Sequence, residues 1–143
     1  MKDGRPVVLV TGASGFVGRH LCPVLVREGW IVRRAVRRPS GSDDEVVIET
    51  IGPTTEWSTA LAEVDAVVHL AARVHHPNEE QAGALYRSIN TQGTLQLARG
   101  AVKAGVKKFV YVSTVLVNGS STDGRSPFRE GDEVAPRGVY GTS

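Results

Sequence analysis

Three glycines, Gly12, Gly15 and Gly18, recur at every third position in "VLVTGASGFVG". They follow a β-branched run, "PVVLVT" from Pro6 to Thr11, that reads as a strand buried on both faces. Beyond them Phe16, Val17, Leu21, Val24 and Leu25 fall at helical spacing up to Gly29. A strand that turns through glycine into a helix has a definite chemical use. The glycines let the main chain approach a ligand closely, and the first helical turn offers free amide hydrogens and a partial positive charge. Pyrophosphate is the group that suits such a cradle, and the strand–turn–helix context assigns it to a dinucleotide.

A second spacing bears on which dinucleotide. At the end of the second strand, about 20 residues past the glycines, an acid normally accepts the adenosine ribose 2′-hydroxyl. Here the sequence reads "AVRRPSG", with Arg37 and Arg38 and no acid. Guanidinium groups pair with a 2′-phosphate and stack on adenine. The reading therefore favours NADP, with NAD as the alternative; a solvated basic edge is the bland account of the same residues.

These groups need a scaffold, and the remaining sequence describes one. Strands are expected at "PVVLVT", "WIVRRAV", "EVVIETI", "AVVHLAA" and "KKFVYVST". Helices are expected over "GFVGRHLCPVLVREG", bent at Pro23, over "STALAEV", and from about Glu80 to Ala104 with Gly105 as the stop. Asn118 to Gly138 is rich in Gly, Ser, Pro and charge and reads as a loop over the site. Such alternation predicts an α/β fold of Rossmann type, a doubly wound parallel sheet with helices on both faces, forming one domain over residues 1–143.

Composition narrows the function classes. Hydrophobic residues at 41% and charged residues at 22% suit a soluble globular chain. Seventeen basic against 15 acidic residues leave +2, too little to argue for nucleic acid. No apolar run is long enough to suggest a membrane partner. Cys22 is the only cysteine, so neither an intrachain disulfide nor a cysteine zinc site is expected, and a cytoplasmic setting is the default. His20, His69 and His75–His76 show no metal-ligand spacing, so no metal is expected.

Several segments together resemble the extended branch of the short-chain dehydrogenase/reductase superfamily, and within it the NAD-dependent epimerase/dehydratase family of UDP-glucose 4-epimerase-like nucleotide-sugar enzymes. Thr11 and the glycines give TGxxGxxG; "HLAA" from His69 to Ala72 matches the end of the family's fourth strand. "INTQGTLQLARGAVKAGVKKFVYVST" is similar to its long helix and fifth strand, and "PRGVYGTS" to its active-site tyrosine segment. The resemblance implies cofactor contacts from Gly12, Gly15, Phe16, Val17, Gly18, Leu70, Ala71, Ala72, Ser113 and Tyr140, beside those read for Arg37 and Arg38 from the end of the second strand. It implies Thr114 and Tyr140 as catalytic residues: the threonine hydroxyl bonds the substrate oxygen, and the tyrosine exchanges a proton with it as hydride moves at the nicotinamide. In the family a lysine four residues after the tyrosine lowers the phenol pKa. That lysine would fall one position past Ser143. The resemblance thus implies an N-terminal fragment, inactive alone, with the sheet truncated after about five strands and the C-terminal substrate domain absent. Asn90, Tyr86 and Arg73 fall near the expected site, where a structural role serves equally.

The sequence departs from the family pattern in two places. NAD users carry an aspartate where Arg37 and Arg38 stand, and the adenine-contacting aspartate after the third strand is replaced by Gly52 and Pro53, leaving adenine to backbone and apolar contacts. Val115 and Leu116 occupy positions where dehydratases carry an Asp–Glu pair. "VNG" (Val117 to Gly119) is similar to sugar-nucleotide epimerases and 4-keto-reductases of surface polysaccharide synthesis. The leading expectation is a UDP-sugar 4-epimerase-like enzyme acting on a nucleotide-diphosphate sugar. An NADPH-dependent 4-keto-sugar reductase is the alternative, and a non-catalytic dinucleotide sensor is the alternative of another class. A homodimer is an expectation for a longer chain only.

Overall fold

Val7, Val8, Leu9 and Val10 have no polar side chain to offer water, and they form the strand around which the rest of the chain is wound. The computed structural model describes residues 4–74 and 82–143. In it β1 (Val7–Thr11), β2 (Ile31–Val36), β3 (Glu45–Val47), β4 (Ala66–His69) and β5 (Lys108–Tyr111) form one sheet. The order is β3-β2-β1-β4-β5, with every neighbouring pair parallel. All five residues of β1 are buried, the pattern of a strand covered on both faces. The strand order reverses beside β1, and the crevice at the carboxyl ends of such strands is where ligands of open α/β sheets bind.

Helices cover both faces, as the alternation predicts. On one side Cys22 and Leu25 of α1 (Phe16–Arg27) pack on Val8, Val10 and Val32. On the other, Ala60 and Leu61 of α2 (Ser58–Leu61) join Trp57, Val7, Leu9 and Val67, together with Leu97 and Ala101 of a later helix. The first helix runs through Pro23, which lies on its exposed side, where water can bond the carbonyl that proline leaves without a donor.

Several elements are shorter than their sequence patterns. The third strand, expected through Ile51, pairs only over Glu45–Val47. Beyond it Ile48 N–H donates to the Val36 carbonyl at 2.8 Å, and the Thr55 hydroxyl then takes over, accepting from Gly52 N–H and donating to the Thr50 carbonyl. The second helix stops at Leu61 rather than Val64, because Ala62 is extended and Glu63 adopts φ 58°. Strand β4 ends at His69 and β5 at Tyr111, short of the expected Ala72 and Thr114.

The long helix is not a uniform α-helix. Its described part comprises α3 (Gly83–Tyr86), a π-helical segment (Arg87–Gly93) and α4 (Thr94–Lys103), which ends before Gly105 as expected. The expected start at Glu80 lies outside the described residues, as do His75 and His76. A π segment shifts the helix face by one residue and is common where side chains converge; here it buries Asn90, just after the buried Tyr86. Asn118 to Arg137 is irregular, as the composition indicates, and α5 (Gly138–Thr142) carries Tyr140. Among the described residues no helix is long and apolar enough to cross a membrane.

Candidate functional site

The glycine turn is shaped by what cannot fit beside it. Gly12 has φ +68°, and a Cβ there would lie 2.8 Å from the Ala71 nitrogen, so the end of β4 closes directly on the turn. At Gly18 a Cβ would meet the Ala13 Cα and the Gly12 carbonyl oxygen, both at 2.5 Å. Backbone atoms hold both positions, so the strand end and the helix start are in van der Waals contact. Gly15 N–H donates to the Gly12 carbonyl at 3.0 Å and closes the turn. Gly15 also caps α1 with no side-chain hydrogen bond, leaving the first-turn amides to solvent or ligand; Phe16 and Val17 follow, both exposed. The cradle fits a pyrophosphate.

Beside this turn opens a cleft of about 550 Å³ lined by Ser14, Val36, Arg37, Arg38 and Glu49. The four arginines of "RRAVRR" divide into two pairs. Arg33 donates to the carbonyls of Ala60 and Ala62 at 2.8 and 2.7 Å. Arg34 forks onto Asp44 at 2.6 and 2.8 Å, and that hydrogen-bonded guanidinium holds the Asp44 carboxyl at about 2. Arg37 and Arg38 stand past the end of β2, exposed and on the cleft. Glu49 is a carboxylate in the same cleft that sequence reasoning missed; it arrives from beyond β3, not from β2.

The second cluster lies beyond β4 and β5. Thr114 and Tyr140 line one small cavity of about 50 Å³ with Ala72, Ser113, Asn90 and Tyr111. The Thr114 hydroxyl oxygen accepts from Leu116 N–H at 3.3 Å, capping a 3₁₀ turn over Val115–Val117. That bond uses a lone pair and leaves the O–H free to donate. Tyr140 packs edge-on against Tyr86, ring centroids 6.4 Å apart, and the Arg73 guanidinium lies 5.3 Å over the Tyr86 ring. Burial first, and Tyr140 second, push the Tyr111 phenol above its ordinary value.

Asn90 ties this cluster together. Its Oδ1 accepts from Arg73 N–H at 2.8 Å, while its Nδ2 donates to the Arg73 carbonyl at 3.1 Å and to Ser143 Oγ at 2.9 Å. Thr91 Oγ1 donates to the Ser143 carbonyl, and Ser143 Oγ donates to the Tyr140 carbonyl at 2.9 Å. The π segment thus latches the helix that carries Tyr140 to the chain leaving β4.

A buried polar chain joins the two clusters. Thr11 Oγ1 accepts from the amides of Leu70 and Ala71, both at 3.2 Å, so its proton points to His69 Nδ1 at 2.6 Å. His69 Nε2 then carries the hydrogen donated to Thr94 Oγ1 at 2.9 Å. Burial holds this imidazole neutral, its pKa lowered to about 4, and the ring stacks on Tyr111 with centroids 5.9 Å apart. Of the expected cofactor residues on this segment, Leu70 and Ala71 therefore have their amides bonded to Thr11, whereas Ala72 reaches the Thr114–Tyr140 cavity.

The strand order, reversing beside β1 where the glycine cradle sits, defines a Rossmann-type α/β fold. The family model for the NAD dependent epimerase/dehydratase family matches residues 8–143, and the chain belongs to that family. It is 39% identical over 141 residues to a UDP-glucose 4-epimerase of Vibrio cholerae, a match covering 95% of this chain and 43% of that protein. Among solved structures it is similar to a short-chain dehydrogenase/reductase superfamily protein from Agrobacterium tumefaciens with bound NAD, at TM-score 0.78 and 32% identity over 95% of this chain and 41% of that one. It is also similar to MoeE5 in complex with UDP-glucose and NAD, at TM-score 0.81 and 31% identity over 94% and 44%. The chain spans less than half the length of each of these relatives.

Proposed function

We propose that this chain is the cofactor-binding part of an NAD(P)-dependent enzyme acting on a nucleotide-diphosphate sugar, in the manner of a UDP-sugar 4-epimerase. The observation that carries the reading is the convergence of Thr114 and Tyr140, from separate segments, on one cavity beside Ala72 in the chain leaving β4. Family membership, the Vibrio cholerae epimerase relative and the UDP-glucose held by MoeE5 support it. Gly12, Gly15 and Gly18 hold the pyrophosphate, with Phe16 and Val17 at the helix start. Thr114 donates its free O–H to the sugar oxygen, and Tyr140 moves a proton to and from that oxygen. A bound nicotinamide would supply hydride acceptance and return at the sugar carbon. This chain spans less than half the length of these relatives, so turnover is proposed for a chain of their length.

A second reading rests on Arg37 and Arg38, which are spared the structural duties of Arg33 and Arg34 and open onto the cleft. They favour NADP, and with it a 4-keto-sugar reductase that exchanges its cofactor at each turnover. An epimerase regenerates its cofactor and keeps it, so cofactor that co-purifies in stoichiometric amount selects epimerase. In a chain of the relatives' length, Thr114→Val and Tyr140→Phe should each lower kcat roughly 100-fold while dinucleotide affinity holds. Undiminished turnover in both variants would show that neither side chain carries the chemistry and would overturn this reading.

A further inference from the structure

Glu49 stands where the end of β2 has no acid to offer. Val36 and Val47 pair at the ends of β2 and β3, and the Ile48 N–H to Val36 carbonyl bond is the last between those segments. One residue beyond that bond, Arg37 on one segment and Glu49 on the other enter the same cleft, with Ser14 of the glycine turn also lining it. All of these side chains are exposed, and Arg37, Arg38 and Glu49 enter no ion pair among the described residues. The nearby acids Asp44 and Glu45 are engaged by Arg34. The cleft beside the cradle therefore presents two free cations and one free anion.

We propose that Glu49 supplies, from just beyond β3, the carboxylate that β2 lacks, and that it sets the balance between NAD and NADP against Arg37 and Arg38. The inference rests on the dinucleotide reading of the site. A ribose 2′-hydroxyl donates a hydrogen bond to a carboxylate. A 2′-phosphate has no such proton to give at neutral pH and carries close to two negative charges, so Glu49 repels it while the arginines attract it. A cleft holding both kinds of group accepts both cofactors, which reconciles the arginine pair with relatives whose structures hold NAD. The adenine amine is another donor to a carboxylate, but it is common to the two cofactors and cannot distinguish them.

The test is a fluorescence titration of the 143-residue chain and its Glu49→Gln variant with NADPH and NADH, each at low and moderate salt. Glutamine keeps the size of the side chain and removes its charge, and an exposed, unpaired site tolerates the change; far-UV circular dichroism checks that the variant is folded. The expected result is tighter NADPH and weaker NADH, moving the affinity ratio about five- to tenfold towards NADPH, by an amount that shrinks as salt rises. A ratio that stays within about twofold, whether both affinities fall together or neither moves, overturns the role given to Glu49 and leaves the dinucleotide site standing. Binding of neither cofactor by the parent chain overturns the dinucleotide reading, and this one with it.

Discussion

The two ends of the functional crevice are built in different ways. On the phosphate side, the Thr11–Gly18 turn is local in sequence save for Ala71 against Gly12, and backbone contacts at 2.5–2.8 Å from where side chains would begin set its shape. On the catalytic side, Ala72, Asn90, Thr114 and Tyr140 come from four separate segments, and the amide of Asn90 and the hydroxyls of Thr91 and Ser143 tie three of these segments together. The strands differ likewise: β1 is buried throughout, while Val110 and Tyr111 of β5 are about half exposed, at 51% and 49%. A cradle made by steric closure of the main chain is specified once the strand, the helix and the segment leaving β4 have met. A cavity made by side-chain hydrogen bonds is specified only when every contributing segment has docked.

The sharpest way to break that contrast is to add one methyl group to the cradle. Gly18→Ala puts a Cβ 2.5 Å from the Ala13 Cα and the Gly12 carbonyl, neither of which can swing aside. The strand end and α1 must separate, at a cost of about 3 kcal/mol, and dinucleotide binding should be lost. Urea denaturation gives the first quantity and cofactor fluorescence the second. An unchanged unfolding midpoint would mean that the closure at Gly18 is not what shapes the turn.

The same contrast explains what the sequence discloses. Strand and helix alternation and the glycine turn follow from local pattern, because each lies within or beside one element, whereas Thr114 and Tyr140 are singled out only by the family resemblance. The π segment over Arg87–Gly93 leaves no such trace, since its extra residue per turn barely alters the apolar spacing over seven residues. Glu49 becomes a cleft residue only once β3 pairs with β2, and nothing in "EVVIETI" marks it. The chain from Thr11 through His69 to Thr94 joins three segments, and each residue alone passes for an ordinary core polar group. In "RRAVRR" the strand end marks Arg37 and Arg38, but only the packed structure shows that Arg33 and Arg34 tie elements together.

His69 lies between the two regions and makes the chain sensitive to acid. An ordinary histidine near 6.5 in the unfolded chain becomes a buried neutral group at about 4 in the fold. The folded state then binds fewer protons than the unfolded state between these values, so stability is complete above about pH 6.5 and falls as pH drops towards 4. The full loss is about 3 kcal/mol, of which about 2 kcal/mol is gone near pH 5. The neighbours of the ring are Thr11, Thr94, Phe109 and Tyr111, none of which titrates across that range. His69→Gln should flatten this part of the profile, as read from urea midpoints near pH 7 and pH 5. A slope that persists in the variant would assign the acid sensitivity to other groups.

The smallest effects come from two arginines of one segment, and they test whether register sorts the four. Arg34→Ala removes a two-pronged bond to Asp44 from a pair whose side chains are 28% and 40% exposed, so solvent screening limits the cost to about 0.5–1 kcal/mol. It should leave the NADPH to NADH affinity ratio unchanged, because Arg34 is turned to Asp44 and Glu45 rather than to the cleft. Arg37→Ala should do the reverse, leaving the unfolding midpoint in place and weakening NADPH about tenfold relative to NADH. Equal shifts in cofactor preference from the two substitutions would mean that the basic segment acts through its summed charge. A shift confined to Arg37 places the discrimination in the residues past the last bond between β2 and β3, where a change of three positions along the chain converts a structural cation into a ligand-facing one.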